Sequence, residues 1–244
     1  MRNTEPHPRW LAVALAAGLL AAPALADQTD QAVFAVSIRG FPVATLSLAG
    51  ATTGQAYGAN GVLKSSGLLG WLRKIRYDAE VTGHMAAGRF VPDRYAETAD
   101  TGKRQSAAVM AYRAGVPQLK SYDPPRAPLP DDVNPATQGG TIDPLTALYA
   151  VLRDVPQADI CMLHVFMFDG VRRSQVALSQ PQPGDGAVVC AGEYRRLQGF
   201  TAADMAEKTS FPFTLVYEPA DNGLWHVTEI SMDTLYGKGR MIRR

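Results

Sequence analysis

The chain has 244 residues, 46% of them apolar and 19% charged, with a formal net charge of +1. A near-neutral balance without a basic stripe argues against nucleic acid as a partner. The length is enough for one core to bury about 70% of the unfolded chain's surface, so no second domain is required.

The N-terminus reads as a targeting segment. Arg2 and Arg9 are basic, an apolar run spans Trp10 to Leu20, and Ala24-Leu25-Ala26 ends it with small residues at both recognition positions. The run is shorter than the roughly 20 residues a spanning helix needs. Residues 1–26 are therefore expected to be a cleaved signal peptide, and residues 27–244 a single domain in the periplasm. Cleavage removes two basic and one acidic side chain, which leaves the remaining chain formally neutral. No later apolar stretch is long enough to cross a bilayer, so the protein is not expected to be integral to the membrane.

Along the remaining chain the dominant signal is alternation. Phe34, Val36 and Ile38, a Gly40-Phe41-Pro42 turn, then Ala44, Leu46 and Leu48 predict a hairpin. Ile75, Tyr77, Ala79 and Val81 interleave with Lys74, Arg76, Asp78 and Glu80, which predicts a strand with one wet face. Further strands are expected over 55–64, 89–98, 105–113 and 116–122, closely spaced and hence antiparallel. Prolines 124, 125, 128, 130 and 135 stiffen one long connection. It ends at Asp143-Pro144, an N-cap followed by a proline where the missing N–H costs nothing. The helix predicted over 143–153 is apolar on nearly its whole circumference, so it is expected to be buried. The run 161–168 is apolar on both faces and predicts a strand central to the sheet. Asp169-Gly170 predicts a two-residue turn into 171–178. Strands over 187–194, 211–218 and 224–232 complete about 10–12. A sheet of this size curls. The expected fold is mainly β: one strongly curved antiparallel sheet or incomplete β-barrel, with the helix in its concavity.

The only cysteines are Cys161 and Cys190. In an oxidising compartment an isolated pair is expected to form a disulfide. Of the four histidines, His7 falls in the signal segment, and His84, His164 and His226 share no metal-ligand spacing. His164 is expected to be buried or half-buried. No serine-hydrolase elbow, zinc-protease motif, phosphate-binding glycine loop or Cys-x-x-Cys occurs. No catalytic residue, cofactor or metal is assigned, and the protein is not expected to be an enzyme. Two clusters invite contact. Leu68, Leu69, Trp71 and Leu72 beside Arg73, Lys74 and Arg76 form an apolar tip with basic flanks, suited to a ligand or a membrane, though turn apolars also fold back on a core. Arg172 and Arg173 after Asp169 could hold an anion, or simply be solvated turn residues.

The order of these signals resembles a known family. Gly67-Leu68-Leu69-Gly70-Trp71-Leu72, Pro92 and Tyr95, Asp143-Pro144-Leu145, Cys161, Phe166-Met167-Phe168-Asp169-Gly170-Val171-Arg172-Arg173, Cys190 and Gly199-Phe200 are similar to the proteobacterial exported proteins of domain of unknown function 3108. The resemblance implies an envelope protein with a curved sheet, similar in architecture to periplasmic lipoprotein-carrier half-barrels. The family offers no established activity to carry over. The expected partner is a hydrophobic envelope ligand, such as a lipid, held in the concave face; the alternative is a filled core that docks on envelope proteins.

Overall fold

A computed structural model of the chain describes residues 27–67, 70, 74–118 and 120–244. The signal segment and Leu68, Leu69, Trp71 and Leu72 of the predicted tip lie outside the described residues.

Fourteen strands among the described residues form one antiparallel sheet. They are β1 (Gln28–Ile38), β2 (Phe41–Thr53), β3 (Ala56–Ser65), β4 (Arg76–Ala86), β5 (Arg89–Asp100), β6 (Gln105–Arg113) and β7 (Val116–Pro117). They continue with β8 (Ser121–Asp123), β9 (His164–Phe168), β10 (Arg173–Pro183), β11 (Val188–Gln198), β12 (Ser210–Pro219), β13 (Trp225–Thr234) and β14 (Gly237–Arg243). The spatial order is β7-β6-β5-β4-β3-β2-β1-β14-β13-β12-β11-β10-β9, with β8 pairing β6. The first and last strands therefore meet mid-sheet, Phe34 opposite Arg243. Register shifts at Val36/Ser37, Thr82/Gly83 and Val216/Tyr217 insert bulges. Bulges bend the strand that carries them, and the sheet rolls into a nearly closed barrel.

Alternation decides which face is inside. Phe34, Leu48, Val81, Tyr95, Met110, Leu215 and Val227 are buried, while Arg76, Glu80, Thr82 and His84 of β4 are exposed. Apolar-in, polar-out is the reverse of the pattern of a membrane barrel, whose lipid-facing residues are apolar. No helix among the described residues is long and apolar enough to cross a membrane.

Two short α-helices among the described residues accompany the sheet, α1 (Pro144–Leu152) and α2 (Ala202–Glu207). As the sequence implies, Asp143 caps α1, its side chain accepting from Thr146 N at 2.9 Å. The helix lies in the concavity, with Tyr149 and Leu152 fully buried. Glycines make the space: a Cβ on Gly50 would meet the Tyr149 ring at 2.4 Å, and one on Gly61 would meet Leu145 at 2.9 Å.

The two ends of the sheet meet at a seam closed by the proline-rich connection. Ile142 bridges β9 in parallel, donating to Phe166 O and accepting from Phe168 N, both at 2.9 Å. Gly140 N reaches Gly115 O at 3.0 Å in the β6–β7 turn, and Val133 N reaches Val171 O at 2.9 Å. Lys120, 5% exposed, joins Glu97 Oε1 and Asp169 O at 2.7 Å each.

Three expectations are corrected. First, β9 is the last strand of the sheet, not a central one. Its outer edge is occupied by the Ile142 segment, which bonds to it as a neighbouring strand would, and a run apolar on both sides cannot distinguish a paired strand from such a connection. Second, residues 169–172 form the turn: Asp169 Oδ1 accepts from Val171 N and Arg172 N, and of Asp169 and Gly170 only Gly170 has positive φ. Third, His164 is exposed, with its Nε2 against the Gln175 amide. The strand count also exceeds the expected 10–12, because β14 was missed and 116–122 divides into two strands.

Candidate functional site

The helix fills the middle of the barrel. A cleft of about 530 Å³ lies at one rim, where the β4–β5 turn, the end of α1 and the start of β9 converge. Its wall combines apolar side chains, Phe90, Ile142, Val155, Leu163, Val165 and Phe166 among them, with the polar Arg89, Arg153, Asp159 and His164. Val155 is held there by a two-bond bridge to Trp225, at 2.8 and 2.9 Å. The Cys161–Cys190 disulfide ties the segment after α1 to β11, and so anchors the wall that carries Met162 and Leu163.

Two cations stand in this wall, exposed Arg89 and the partly buried Arg153. Arg153 is the residue at which α1 stops, its N–H bonded to Tyr149 O and its ψ of 154° leaving the helical region. A cation there complements the partial negative charge at the helix end. Its guanidinium sits over the Phe90 ring, 5.7 Å from the centroid. The Nε atom is buried and has no hydrogen-bond partner among the described residues. Leaving a buried donor unpaired costs roughly 1–3 kcal/mol. Neighbouring carboxylates are engaged elsewhere: Asp154 faces Arg243 at 3.3 Å, and Asp30 accepts from Tyr149 Oη at 2.6 Å and Asp154 N at 3.0 Å.

A polar cluster under α1 holds the helix against the sheet. Buried Asp143 accepts from Thr146 Oγ1 at 2.6 Å, and Thr146 Oγ1 lies 2.9 Å from Tyr57 Oη. Burial pushes the Asp143 carboxyl up to about 6, against the opposing pull of the Thr146 hydrogen bonds. Burial also raises the Tyr57 and Tyr112 phenols far above the usual tyrosine range. The Tyr112 hydroxyl is buried without a partner among the described residues.

The opposite rim has a smaller space, about 330 Å³, lined by Tyr77, Glu97, Tyr122 and Arg126 among others. Of its cations, Arg126 pairs with Asp132 in a two-bond fork at 2.7 and 2.9 Å, while exposed Arg104 has no ion-pair partner among the described residues. The first cleft differs in that its Arg153 is partly buried and carries no ion pair among those residues.

Arg172 and Arg173, the candidate anion contacts, have different neighbours. Arg173 bonds Gln138 Oε1 at 3.1 Å and stacks on Phe166 at 4.5 Å, while Arg172 lies 5.3 Å from the Phe200 ring. The two arginines hold different parts of the fold together. Cys161 and Cys190 are bonded as expected. Arg153 and Phe90 were not singled out in the sequence. The available signal was a lone arginine closing an otherwise apolar helix, which cannot report what it faces.

The fold and the cleft define a β-barrel-like protein whose interior is packed by a helix and whose rim offers a cleft lined by apolar side chains and by Arg153, which has no ion-pair partner among the described residues. The family model described as "Protein of unknown function (DUF3108)" matches residues 33–178, more than half of the chain, and the chain belongs to that family. Among solved structures it is similar to the crystal structure of a β-barrel-like protein of domain of unknown function DUF1849 from Brucella abortus. That likeness has 12% identity and a TM-score of 0.47, over 88% of this chain and 94% of that one. No curated protein matches.

Proposed function

We propose that this is a non-enzymatic binding protein of the bacterial cell envelope, exported to the periplasm, that holds a lipid or another hydrophobic molecule in the rim cleft beside Arg153. The observation that carries the reading is the cleft itself. Its volume of about 530 Å³ falls in the range of ligand pockets, and its lining sets apolar side chains beside the charged Arg153, Arg89 and Asp159, as a molecule with an apolar body and a polar end requires. Export is supported by the pattern of residues 1–26 and by the disulfide, which suits an oxidising compartment. The site is moved from the concave face to its rim, because α1 packs the concavity. Native mass spectrometry of the protein purified gently from its own cells tests this. A lipid or lipopeptide adduct near one-to-one is expected, and a ligand-free mass across preparations overturns the reading.

The alternative, docking on an envelope protein, is favoured by a different observation. On the opposite rim Phe41 and Tyr236 are each 72% exposed, on adjacent turns joined by Arg39 N to Lys238 O at 2.8 Å. A ligand-free mass together with a specific photo-crosslink from position 41 or 236 to one envelope protein would make this reading the better one.

A further inference from the structure

We infer that the ligand of the rim cleft is an amphiphile whose terminal carboxylate seats on the Arg153 guanidinium, with its apolar part along Phe90, Ile142, Val155 and Phe166. The inference rests on the cleft being a ligand site and adds the charge of the ligand's head. Arg153 lines the cleft, and its Nε is covered by the protein, so the terminal Nη groups are the ones a ligand meets. No carboxylate of the described residues stands within 4.0 Å of the Arg153 side chain, since Asp154 and Asp30 are engaged by Arg243 and by Tyr149. The two Nη groups present N–H bonds side by side, which a carboxylate accepts with both oxygens.

The surroundings limit the ligand to one negative charge. Asp159 is exposed at the cleft and the carbonyl end of α1 lies at Arg153, so a second negative charge would meet repulsion without a second buried cation. Arg89, also at the cleft, is exposed to solvent, where an ion pair is worth little. The apolar side chains of the wall take the ligand's apolar part, and its acid end meets the cation.

Calorimetry on delipidated protein, with dodecanoate and dodecan-1-ol as probes, tests the inference. Dodecanoate is expected to bind at least about tenfold more tightly, the yield of one charge-assisted hydrogen bond. Arg153→Met should bring the two affinities together, and Arg153→Lys should keep part of the preference, with thermal melts confirming that both variants fold. Equal affinities in the native protein, or a preference that survives Arg153→Met, overturn the inference while leaving a cleft that binds apolar molecules. Tighter binding of an apolar pentapeptide with a free C-terminus than of dodecanoate overturns it in favour of a peptide added to the edge of β9. If no probe binds, the cleft is not a ligand site and the proposed function falls with the inference.

Discussion

Asp143 does two jobs that pull against each other. Its carboxylate caps α1, yet it is fully buried, and burial raises its pKa to about 6. In the unfolded chain the value is about 3.9. A carboxyl whose folded pKa is raised favours folding while protonated, so its contribution is complete below about pH 4 and is lost as pH rises through about 6. A shift of about two units corresponds to about 3 kcal/mol. Asp143→Asn keeps a capping oxygen without a titrating group. Urea unfolding at steps from pH 4 to 7 should show this loss in the native protein and a shallower slope in the variant. Equal slopes would mean that the carboxylate is as well stabilised in the fold as in water. Two tyrosines nearby make a second comparison. Tyr57→Phe removes the hydrogen bond to Thr146 and should cost about 1 kcal/mol. Tyr112→Phe deletes a buried hydroxyl that bonds nothing among the described residues, and should be neutral or stabilising by about 1 kcal/mol. Chemical denaturation of the pair decides it: a loss at Tyr112 as large as at Tyr57 would show that its hydroxyl is satisfied after all.

At the scale of elements, α1 and the segment that follows it form the floor and wall of the cleft. The helix start was legible, because an Asp-Pro pair before an apolar run is a local signal and capping involves neighbours in sequence. The position of β9 was not. Its two apolar faces are read equally well as a central strand or as an edge strand flanked by a connection, and only the Ile142 bridge distinguishes them. The disulfide closes a separation of 29 residues and should stabilise the fold by about 3–4 kcal/mol. Replacing both cysteines by alanine should lower stability by that order, and hydrogen exchange should quicken first at residues 153–163. Protection lost evenly across the sheet would instead make the bridge a global clamp with no special hold on the cleft wall.

The whole molecule is a barrel that does not close by strand pairing, and its seam depends on side chains and the proline-rich connection. Lys120 sits at that seam, and a Cβ on Gly170 would come within 2.2 Å of its Cδ, so the turn is fitted around it. Lys120→Met keeps the bulk but takes the ion pair from Glu97, which retains the Tyr95 hydroxyl and, with its side chain 40% exposed, water. The expected cost is about 2 kcal/mol. Faster exchange should appear at Val133, Ile142 and Phe168 and not at the β1–β2 hairpin. Unchanged exchange at those three amides would show that the backbone bridges suffice to hold the seam. By itself the sequence determined the alternating strands, the capped apolar helix and the cysteine pairing, since each follows from neighbours in the chain or from there being no other partner. The tertiary structure alone decided that β9 is an edge, that Arg172 and Arg173 have different neighbours, and that Arg153 lines a rim cleft without a counter-ion among the described residues. Those facts depend on residues as distant as Phe90, Arg153 and Phe166 arriving at one rim, and such convergence is set by how the sheet curls and closes.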